Sequence, residues 1–263
     1  MDGVLAIDGI GKLKMRPFPP KEREDGSLFR DAVTETIREY GCWEPDETEI
    51  VLELLPPDEA GSGYFVDVGA QLGYYSLIAA SCGYKVLSFE YDVDVFATLI
   101  ENIRMNGLQN LITPQRRYVC DTADGVAKGV RRVSIDSLAD AFDFNSYGIR
   151  LLKVDVEGFD PSVIRGAMGC FQKRSIFAAI VEISPKFEKR TPFSQYMKMA
   201  ADVESLGYKV YDIGIAPKRR LSIDHDHLAR LAGRELTSFD EAEVRAMIGA
   251  KEQTNFLFVR TGG

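Results

Sequence analysis

The chain has 263 residues and a formal net charge of −8 at neutral pH. Its composition, 45% hydrophobic and 27% charged, is that of a globular protein long enough to bury a full core. The negative charge argues against a nucleic-acid partner, because it repels phosphate backbones. The four cysteines form no CxxC pair, which argues against a structural zinc site or a dense disulfide framework.

No apolar run approaches the ~20 residues that a membrane-spanning helix needs. The first ten residues carry two aspartates and no basic cluster, so they do not resemble a signal peptide. We therefore expect a soluble cytoplasmic protein without a membrane span.

Residues 1–60 are predicted to be an amino-terminal lead-in of mixed character, within which residues 16–25 are expected to be irregular because they combine prolines with dense charge. One helix is expected within the lead-in, from about Glu47 to Leu55, where apolar residues recur on one face. Pro56 and Pro57 would end that helix. The main domain is predicted to span residues 61–263.

In the main domain, short apolar runs alternate with helical patterns. The predicted strands are 64–68, 85–89, 115–119, 151–156, 176–183, 208–213 and 255–260. The predicted helices are 74–80, 94–105, one that starts near Pro161, 194–205 and 240–248, the last within a polar peripheral segment, 216–251. This alternation indicates an α/β, Rossmann-like fold: a doubly wound, mostly parallel sheet with helices on both faces.

The loop after the first strand carries the main functional signal, in the segment FVDVGAQLGYYS at residues 65–76. Gly69 allows a tight turn, and Gly73 allows the next helix to approach a ligand or the sheet. A dinucleotide fingerprint needs G-x-G-x-x-G, but Gln71 stands at the middle glycine and would crowd a pyrophosphate. The acidic Asp67 instead suits a positively charged ligand. S-adenosylmethionine, which carries an ammonium and a sulfonium, fits this loop better than a dinucleotide.

Glu90 supports the same cofactor, because it ends the second strand some 20 residues downstream. At this place a carboxylate accepts hydrogen bonds from two ribose hydroxyls. The alternative is a solvated or capping carboxylate at a strand end.

Several segments together resemble the FkbM-type methyltransferases, a branch of the class I methyltransferases. These segments are FVDVGAQLGYYS, FEYD (89–92), ENIRMNG (101–107), LLKVDVEG (151–158) and IVEI (180–183). The resemblance covers roughly residues 41–213 and the final strand. It implies a seven-stranded sheet with the last strand antiparallel, S-adenosylmethionine as methyl donor, and usually O-methylation.

The resemblance also implies roles for individual residues. Asp67, Gly69 and Gly73 would line the methionine end of the cofactor, and Glu90 would hold the ribose. Asp121 would lie near the adenine, with Cys120 as its neighbour and competitor for that place. Asp155 would end the fourth strand beside the methyl-bearing end.

The chain departs from the family pattern at two positions near this pocket. Gln71 replaces the usual asparagine but keeps a carboxamide, so we retain it as a cofactor residue. Tyr91 replaces the usual proline just beyond Glu90. Of Tyr74 and Tyr75 we expect one to face the cofactor, and we assign Tyr74. Trp43 is expected to cover the cofactor or to pack the lead-in on the core.

Methyl transfer to a hydroxyl benefits from a base that removes the hydroxyl proton. The only histidines, His225 and His227, lie in the peripheral segment, so a carboxylate is the better candidate. Asp155 and Glu157 are two residues apart and would face the same way on a strand. We predict that one of them orients or deprotonates the acceptor. The alternatives are that Asp155 only bonds the backbone or cofactor and that Glu157 caps the next helix.

A metal is not part of the predicted site, although two arrangements resemble metal sites. Asp155 and Glu182 end neighbouring strands, where two carboxylates sometimes share Mg²⁺. The motif Asp224-His-Asp-His227 resembles a ligand cluster, but the basic residues around it favour a solvated loop.

The sequence thus predicts a methyltransferase, with O-methylation of a small-molecule or glycan hydroxyl as the expected reaction. A cofactor-binding module without catalysis is the alternative, and an NAD-dependent oxidoreductase is a third. The oligomeric state is not predicted.

Overall fold

The computed structural model describes residues 5–6, 13–22, 28–184, 188–213 and 254–262. Seven strands form one sheet: β1 Tyr64–Val68, β2 Lys85–Phe89, β3 Ile112–Gln115, β4 Ile149–Val154, β5 Ile176–Ile183, β6 Tyr208–Asp212 and β7 Thr254–Arg260. Their order is β6-β7-β5-β4-β1-β2-β3, and β7 runs antiparallel to both of its neighbours. The other pairs are parallel. This confirms the predicted doubly wound sheet with an antiparallel last strand.

Eight α-helices are found in the described residues: α1 Ala32–Tyr40, α2 Pro45–Leu54, α3 Tyr74–Ser81, α4 Val93–Met105, α5 Ile135–Leu138, α6 Asp160–Arg165, α7 Met168–Gln172 and α8 Phe193–Glu204. Helices α1 to α4 share one hydrophobic core with side chains such as Phe65 and Leu151. Residues of α5 to α8 share a second core with Val66 and Leu152. Because neighbouring strand residues point to opposite faces, these two cores cover the two sides of the sheet.

Short ladders and one 3₁₀ turn complete the described structure. The antiparallel pairs are Leu5–Ala6 with Lys14–Met15 and Lys21–Glu22 with Leu28–Phe29. A separate small sheet places Val130–Val133 between Tyr118–Val119 and Val126–Ala127. Pro57–Glu59 forms the 3₁₀ turn.

The lead-in is more ordered than its composition suggested. Asp31 caps α1 by accepting a hydrogen bond from the Thr34 amide, and Gly41 closes the helix in a left-handed conformation. Val33 and Ile37 bury the inner face of α1 in the core that covers the first side of the sheet. Helix α1 lies outside the stretch 16–25 that was expected to be irregular, and the sequence analysis did not predict it. The division at residue 60 stays a prediction, although the lead-in and the sheet share this core.

Two strands differ from their predicted bounds by two residues or more. Strand β3 ends at Gln115 instead of spanning 115–119, because Ile112 pairs with Val86 and the edge position of β3 accommodates Pro114. Strand β4 ends at Val154, so Asp155 and the residues after it lie in a loop.

The predicted peripheral segment 216–251, its helix 240–248 and both histidines fall outside the described residues. Among the described helices, each is too short or too polar to cross a lipid bilayer.

Candidate active site

A cavity of about 810 Å³ opens at the carboxyl ends of β1, β2, β4 and β5. This is the edge where open α/β sheets bind their ligands. The lead-in forms the opposite wall, with Phe18, the start of α1 and Trp43 among the lining residues. Trp43 also packs against the core, which was one of the two roles considered for it, and its covering of the cofactor stays a prediction.

The two glycines of the loop after β1 are required by close packing of the chain itself. Gly69 lines the cavity at φ 86°, and a Cβ there would lie 1.9 Å from the backbone oxygen of Asp155. Gly73 begins α3 at φ 92°, and a Cβ there would lie 2.5 Å from Leu99 Cδ1. Gly73 is not among the cavity-lining residues, so its position favours helix packing over ligand contact.

Asp67 lies on the buried floor of the cavity. Its Oδ2 accepts a hydrogen bond of 2.6 Å from Ser76 Oγ, and the Ser76 and Ser88 hydroxyls are 2.7 Å apart. Burial raises the pKa of Asp67 to about 6, although the nearby Lys153 ammonium and the Ser76 bond act in the opposite direction. A nearby positive charge therefore stabilises the ionised form of Asp67.

Glu90 follows β2 and is fixed by backbone amides. Its Oε2 accepts from the Gln71 amide at 3.2 Å, and its Oε1 accepts from the Asp92 amide at 2.8 Å. Burial raises the pKa of Glu90 in spite of these hydrogen bonds. The carboxylate lines the cavity in a fixed orientation, as a ribose-binding group requires.

Gln71 lines the cavity, but its carboxamide is used within the protein. Its Nε2 donates to Asp31 Oδ1 at 2.7 Å, and the residue adopts φ 50°. This bond links the loop after β1 to the residue that caps the lead-in helix α1. The sequence pattern does not predict this contact, because 40 residues separate the partners.

Tyr74 and Tyr75 are both buried and both line the cavity, so the expected division between cofactor and core is not observed. The Tyr74 hydroxyl lies 3.2 Å from Thr48 Oγ1, and the Tyr75 hydroxyl donates to Glu44 Oε2 at 3.0 Å. Both hydroxyls thus form hydrogen bonds with residues at the start of α2 and hold this part of the lead-in at the cavity.

Asp155 and Glu157 line the cavity, but the alternation argument for their common orientation was wrong. Both lie beyond the end of β4, and Glu157 is exposed with a left-handed φ of 52°. The loop is held by Asp160, which accepts from the amides of Val156 and Gly158 at 2.9 Å each. Helix α6 begins after Phe159 without a side-chain cap, so the capping role considered for Glu157 is not observed.

A buried lysine organises the polar groups behind Asp155. Lys153 lies on β4 directly beside Asp67 of β1, with its Nζ 3.3 Å from Glu47 Oε1 and 3.4 Å from Asp155 Oδ2. The same Nζ lies 4.6 Å from the centre of the Tyr75 ring. Burial by itself lowers the pKa of Lys153, but the surrounding carboxylates outweigh it and hold the pKa well above the usual value.

Glu182 ends the row of polar side chains on this face of the sheet. Its Oε2 is buried and has no hydrogen-bond partner among the described residues. Burial, the charge of Asp155 and a hydrogen bond with Asp155 raise the pKa of Glu182, so Glu182 carries a proton at neutral pH while sharing it with its neighbour. An orphaned buried oxygen beside a cavity marks a place for a ligand donor.

Asp121 is not brought to the cavity. Its Oδ2 accepts from Arg165 Nε and Nη2 at 3.2 and 3.1 Å, and neither Asp121 nor Cys120 lines the cavity wall. The side of the cavity near β3 is formed by Arg117, Tyr118 and Val119 instead.

Within the described residues, no group of three or more His, Cys, Asp or Glu is arranged to hold a metal ion.

The sequence analysis missed several residues that shape the site: Asp31, Glu44, Glu47, Lys153 and Asn255. A signal existed for Lys153, because this lysine lies between the apolar residues Leu152 and Val154 of the strand and is expensive to bury without partners. The partner Glu47 accepts from Asn255 Nδ2 across 208 residues, a contact that no local pattern predicts.

The buried carboxyl groups predict how stability depends on pH. Burial raises the pKa of Asp67 from 3.8 to about 6, so the folded protein binds this proton more tightly than the unfolded chain does. The associated stability is complete below the unfolded value and is lost as pH rises to about 6. A shift of this size corresponds to about 3 kcal/mol. We expect urea unfolding of the native protein to show this decline, and Asp67→Asn to reduce the slope. An unchanged slope in Asp67→Asn would contradict the assignment.

Comparison with known proteins shows which family part of the chain resembles. Residues 106–210 match the family model of the methyltransferase FkbM domain. No curated protein sequence matches the chain significantly.

Among solved structures, the METTL16 MTase domain superposes with a TM-score of 0.50 at 12% identity, over 93% of this chain and 87% of that chain. A second crystal form of that domain gives 0.51 with the same identity and coverage. The methyltransferase domain of bacterial CtHen1-C gives 0.45 at 11% identity, over 82% and 98%. At these identities the likeness concerns the fold alone.

The fold is that of a class I methyltransferase. The match over residues 106–210 confirms the resemblance stated from the sequence motifs to the FkbM-type methyltransferases, whose cofactor is S-adenosylmethionine.

The inner cavity suits that cofactor. One lysine lies among five carboxyl groups: Glu44, Glu47, Asp67, Asp155 and Glu182. Glu182 carries a proton, but the other four carboxyl groups still outnumber the lysine, and such an excess attracts a ligand that carries an ammonium and a sulfonium. The orphaned Glu182 Oε2 provides a further buried acceptor.

Proposed function

We propose that the protein transfers the methyl group of S-adenosylmethionine to a hydroxyl of a small molecule or glycan. The observation that supports this most directly is the placement of Asp155 and Glu157 on the wall of the same cavity that Asp67 and Glu90 line. When bound, the cofactor supplies an electrophilic methyl group for in-line displacement. The protein's own task is then to orient the acceptor and to accept its proton.

For the cofactor we propose four side chains of the inner cavity: Asp67, Gln71, Tyr74 and Glu90, together with the backbone at Gly69. Glu90 is supported by its two backbone amide bonds, which leave the carboxylate oxygens fixed toward the cavity. Gly73 and Asp121, which the resemblance also implied, lack a cavity contact that would support them.

For the proton acceptor we favour Asp155 over Glu157. Asp155 is half-buried and held by Lys153, and its neighbour Glu182 already carries a proton at neutral pH. Low solvent access strengthens the interaction of the Asp155 carboxyl group with an incoming hydroxyl. The Asp155 carboxylate would take the hydroxyl proton as the acceptor oxygen attacks.

Substitution of these two carboxylates tests the assignment. We expect Asp155→Asn to lower kcat by about 10²–10⁴, the usual contribution of a general base, and Glu157→Gln to have a smaller effect. Methyl transfer would be followed with isotopically labelled S-adenosylmethionine and a panel of hydroxyl-bearing acceptors. Calorimetry with S-adenosylhomocysteine would show that cofactor affinity is retained.

The outcomes separate the candidate functions. Normal turnover by both variants would remove the carboxylate base from the proposal. Tight binding of S-adenosylhomocysteine without transfer to any acceptor would favour the alternative of a cofactor-binding module.

A further inference from the structure

One buried oxygen of the cavity wall lacks a partner within the described part of the chain. Glu182 lines the cavity and exposes only 8% of its surface, yet its Oε2 accepts and donates no hydrogen bond there. Leaving a buried polar atom without a partner is costly, so such an atom marks a place where a ligand completes the bonding. A methyltransferase has two ligands, the methyl donor and the acceptor, and the position of Glu182 distinguishes between them.

Glu182 belongs to a row of residues that crosses the carboxyl ends of four strands. Strands β5, β4, β1 and β2 are in register at Val181, Val154, Val68 and Phe89. The next residues, which are Glu182, Asp155, Gly69 and Glu90, therefore follow one another along the edge of the sheet. Neighbouring strands are about 4.8 Å apart, so Glu182 lies about 5 Å from Asp155 and about 14 Å from Glu90 along this row.

This order places Glu182 on the acceptor side of the cavity. The proposed cofactor residues Glu90 and Asp67 belong to β2 and β1, at the opposite end of the row. Asp155, to which the proposed function assigns the removal of the acceptor proton, lies between them and Glu182. The acceptor hydroxyl therefore binds close to Glu182, and the ribose of the cofactor binds far from it.

The wall around Glu182 offers hydrogen bonds without net charge. Strands β5 and β7, with the residue that follows β5, contribute Glu182, Ser184, Thr254 and Asn255 to the cavity lining. Burial and the nearby charge of Asp155 raise the pKa of Glu182, so its carboxyl group carries a proton at neutral pH. The other three side chains end in hydroxyl or amide groups, so the part of the wall formed by these two strands is polar and uncharged.

A hydroxyl group of the ligand fits these surroundings. Because a hydroxyl both donates and accepts hydrogen bonds, it satisfies Glu182 Oε2 whichever oxygen of the carboxyl group holds the proton. We propose that Glu182 binds a second hydroxyl of the acceptor, close to the one that is methylated, and that the acceptor is a sugar-like polyol. This inference rests on the proposed function and specifies its substrate class and a residue that selects it.

Calorimetry on the full chain saturated with S-adenosylhomocysteine tests this contact without requiring turnover. The probes are D-glucose, D-galactose and D-mannose, each compared with its analogues that lack one hydroxyl. We expect at least one sugar to bind, and to lose about tenfold in affinity when one particular hydroxyl is removed, since the buried oxygen is then left without its partner again.

Two variants assign this hydroxyl to Glu182. Glu182→Met removes the polar group at similar size, so the sugar and its sensitive deoxy analogue should bind equally to within about twofold, whereas Glu182→Gln should keep the preference for the sugar. The comparison is a double-mutant cycle between side chain and ligand, which separates their coupling from a general effect of the substitution. Both variants should bind S-adenosylhomocysteine as the native protein does. Glu182→Leu serves the same purpose if Glu182→Met does not fold.

Glu188→Met is the matched control. Glu188 is an exposed glutamate six residues further along the chain and does not line the cavity, so this variant should leave every affinity unchanged.

Absence of binding by all three sugars, or an equal preference for the sugar in the native protein and in Glu182→Met, would overturn the inference. Weaker binding of S-adenosylhomocysteine by Glu182→Met would also overturn it, because the cofactor would then be the partner of this oxygen. Sugar binding that follows these expectations, without methyl transfer to any hydroxyl acceptor, would support the Glu182 contact and refute O-methylation. Methyl transfer to acceptors with a single hydroxyl, without any sugar binding, would do the reverse.

Discussion

Lys153→Met should lower the free energy of unfolding by about 3–5 kcal/mol at pH 8, the range measured when one partner of a buried ion pair is removed. The substitution leaves Glu47 and Asp155 without their cation in a buried setting. The carboxyl groups can respond by taking up protons, so we expect a smaller loss at pH 5. Urea unfolding at the two pH values measures both effects.

Two further proteins show whether the loss comes from the buried pair. Lys198→Met removes a lysine of an exposed pair, whose Nζ is 2.7 Å from Asp202, and should change stability by no more than about 0.5 kcal/mol. Adding Glu47→Gln to Lys153→Met should restore part of the loss, because it removes one unpaired carboxylate. A Lys153→Met protein as stable as the native one at pH 8 would show that the lysine does not balance this cluster.

Gly69→Ala should prevent stable folding or cost more than about 3 kcal/mol. A methyl group at this position would lie 1.9 Å from the Asp155 backbone oxygen, so the loop after β4 would have to move. The residue also holds φ 86°, which disfavours any side chain. Because the displaced loop carries Asp155, variants that still fold should lose methyl transfer as well.

The variant Gly107→Ala separates the two causes of destabilisation, which are the steric clash and the positive φ. Gly107 has φ 69°, but a Cβ added there would have no atom within 4 Å, so this variant shows only the backbone cost of about 1–2 kcal/mol. We expect Gly69→Ala to exceed that cost clearly in urea unfolding. Equal losses in the two variants would mean that the close approach to Asp155 relaxes without difficulty.

These predictions concern one structural feature, the polar row on the α3 side of the sheet. Asp67, Lys153 and Glu182 lie on β1, β4 and β5, and Glu47 approaches from α2. Burying so many ionisable groups is unfavourable for the free protein, as the raised pKa of Asp67 indicates. A cationic ligand would relieve that cost, which ties cofactor binding to the stability of the fold.

The local hydrophobic pattern of the sequence predicted the strands of the sheet well where the strands are buried on both faces. Strands β1, β2 and β5 have the bounds expected from their apolar runs. Such runs are diagnostic because helices cover both sides of a parallel sheet. Strand β3 was displaced because it is an edge strand with mixed polarity, whose register depends on its partner β2.

The predicted site residues also divide into two groups, those that line the cavity and those that do not. The cavity brings together Asp67, Gly69, Gln71, Tyr74, Glu90, Asp155 and Glu157, all adjacent to strand ends. Strand ends of a parallel sheet meet at one edge, so the order of elements along the chain sufficed for them. Gly73 and Asp121 lie next to the same elements but face a helix and an arginine instead.

By itself, the sequence determined the α/β class, the cofactor type and the edge of the sheet at which the candidate site is proposed, since these follow from periodicity and from short motifs. Only the tertiary structure decided that the lead-in closes the cavity through Gln71 and Asp31, and that Lys153 balances carboxylates from distant segments. It also left Glu182 Oε2 buried without a partner in the described part of the chain. The physical reason is that burial and charge pairing depend on residues that are far apart along the chain, and no local pattern records them.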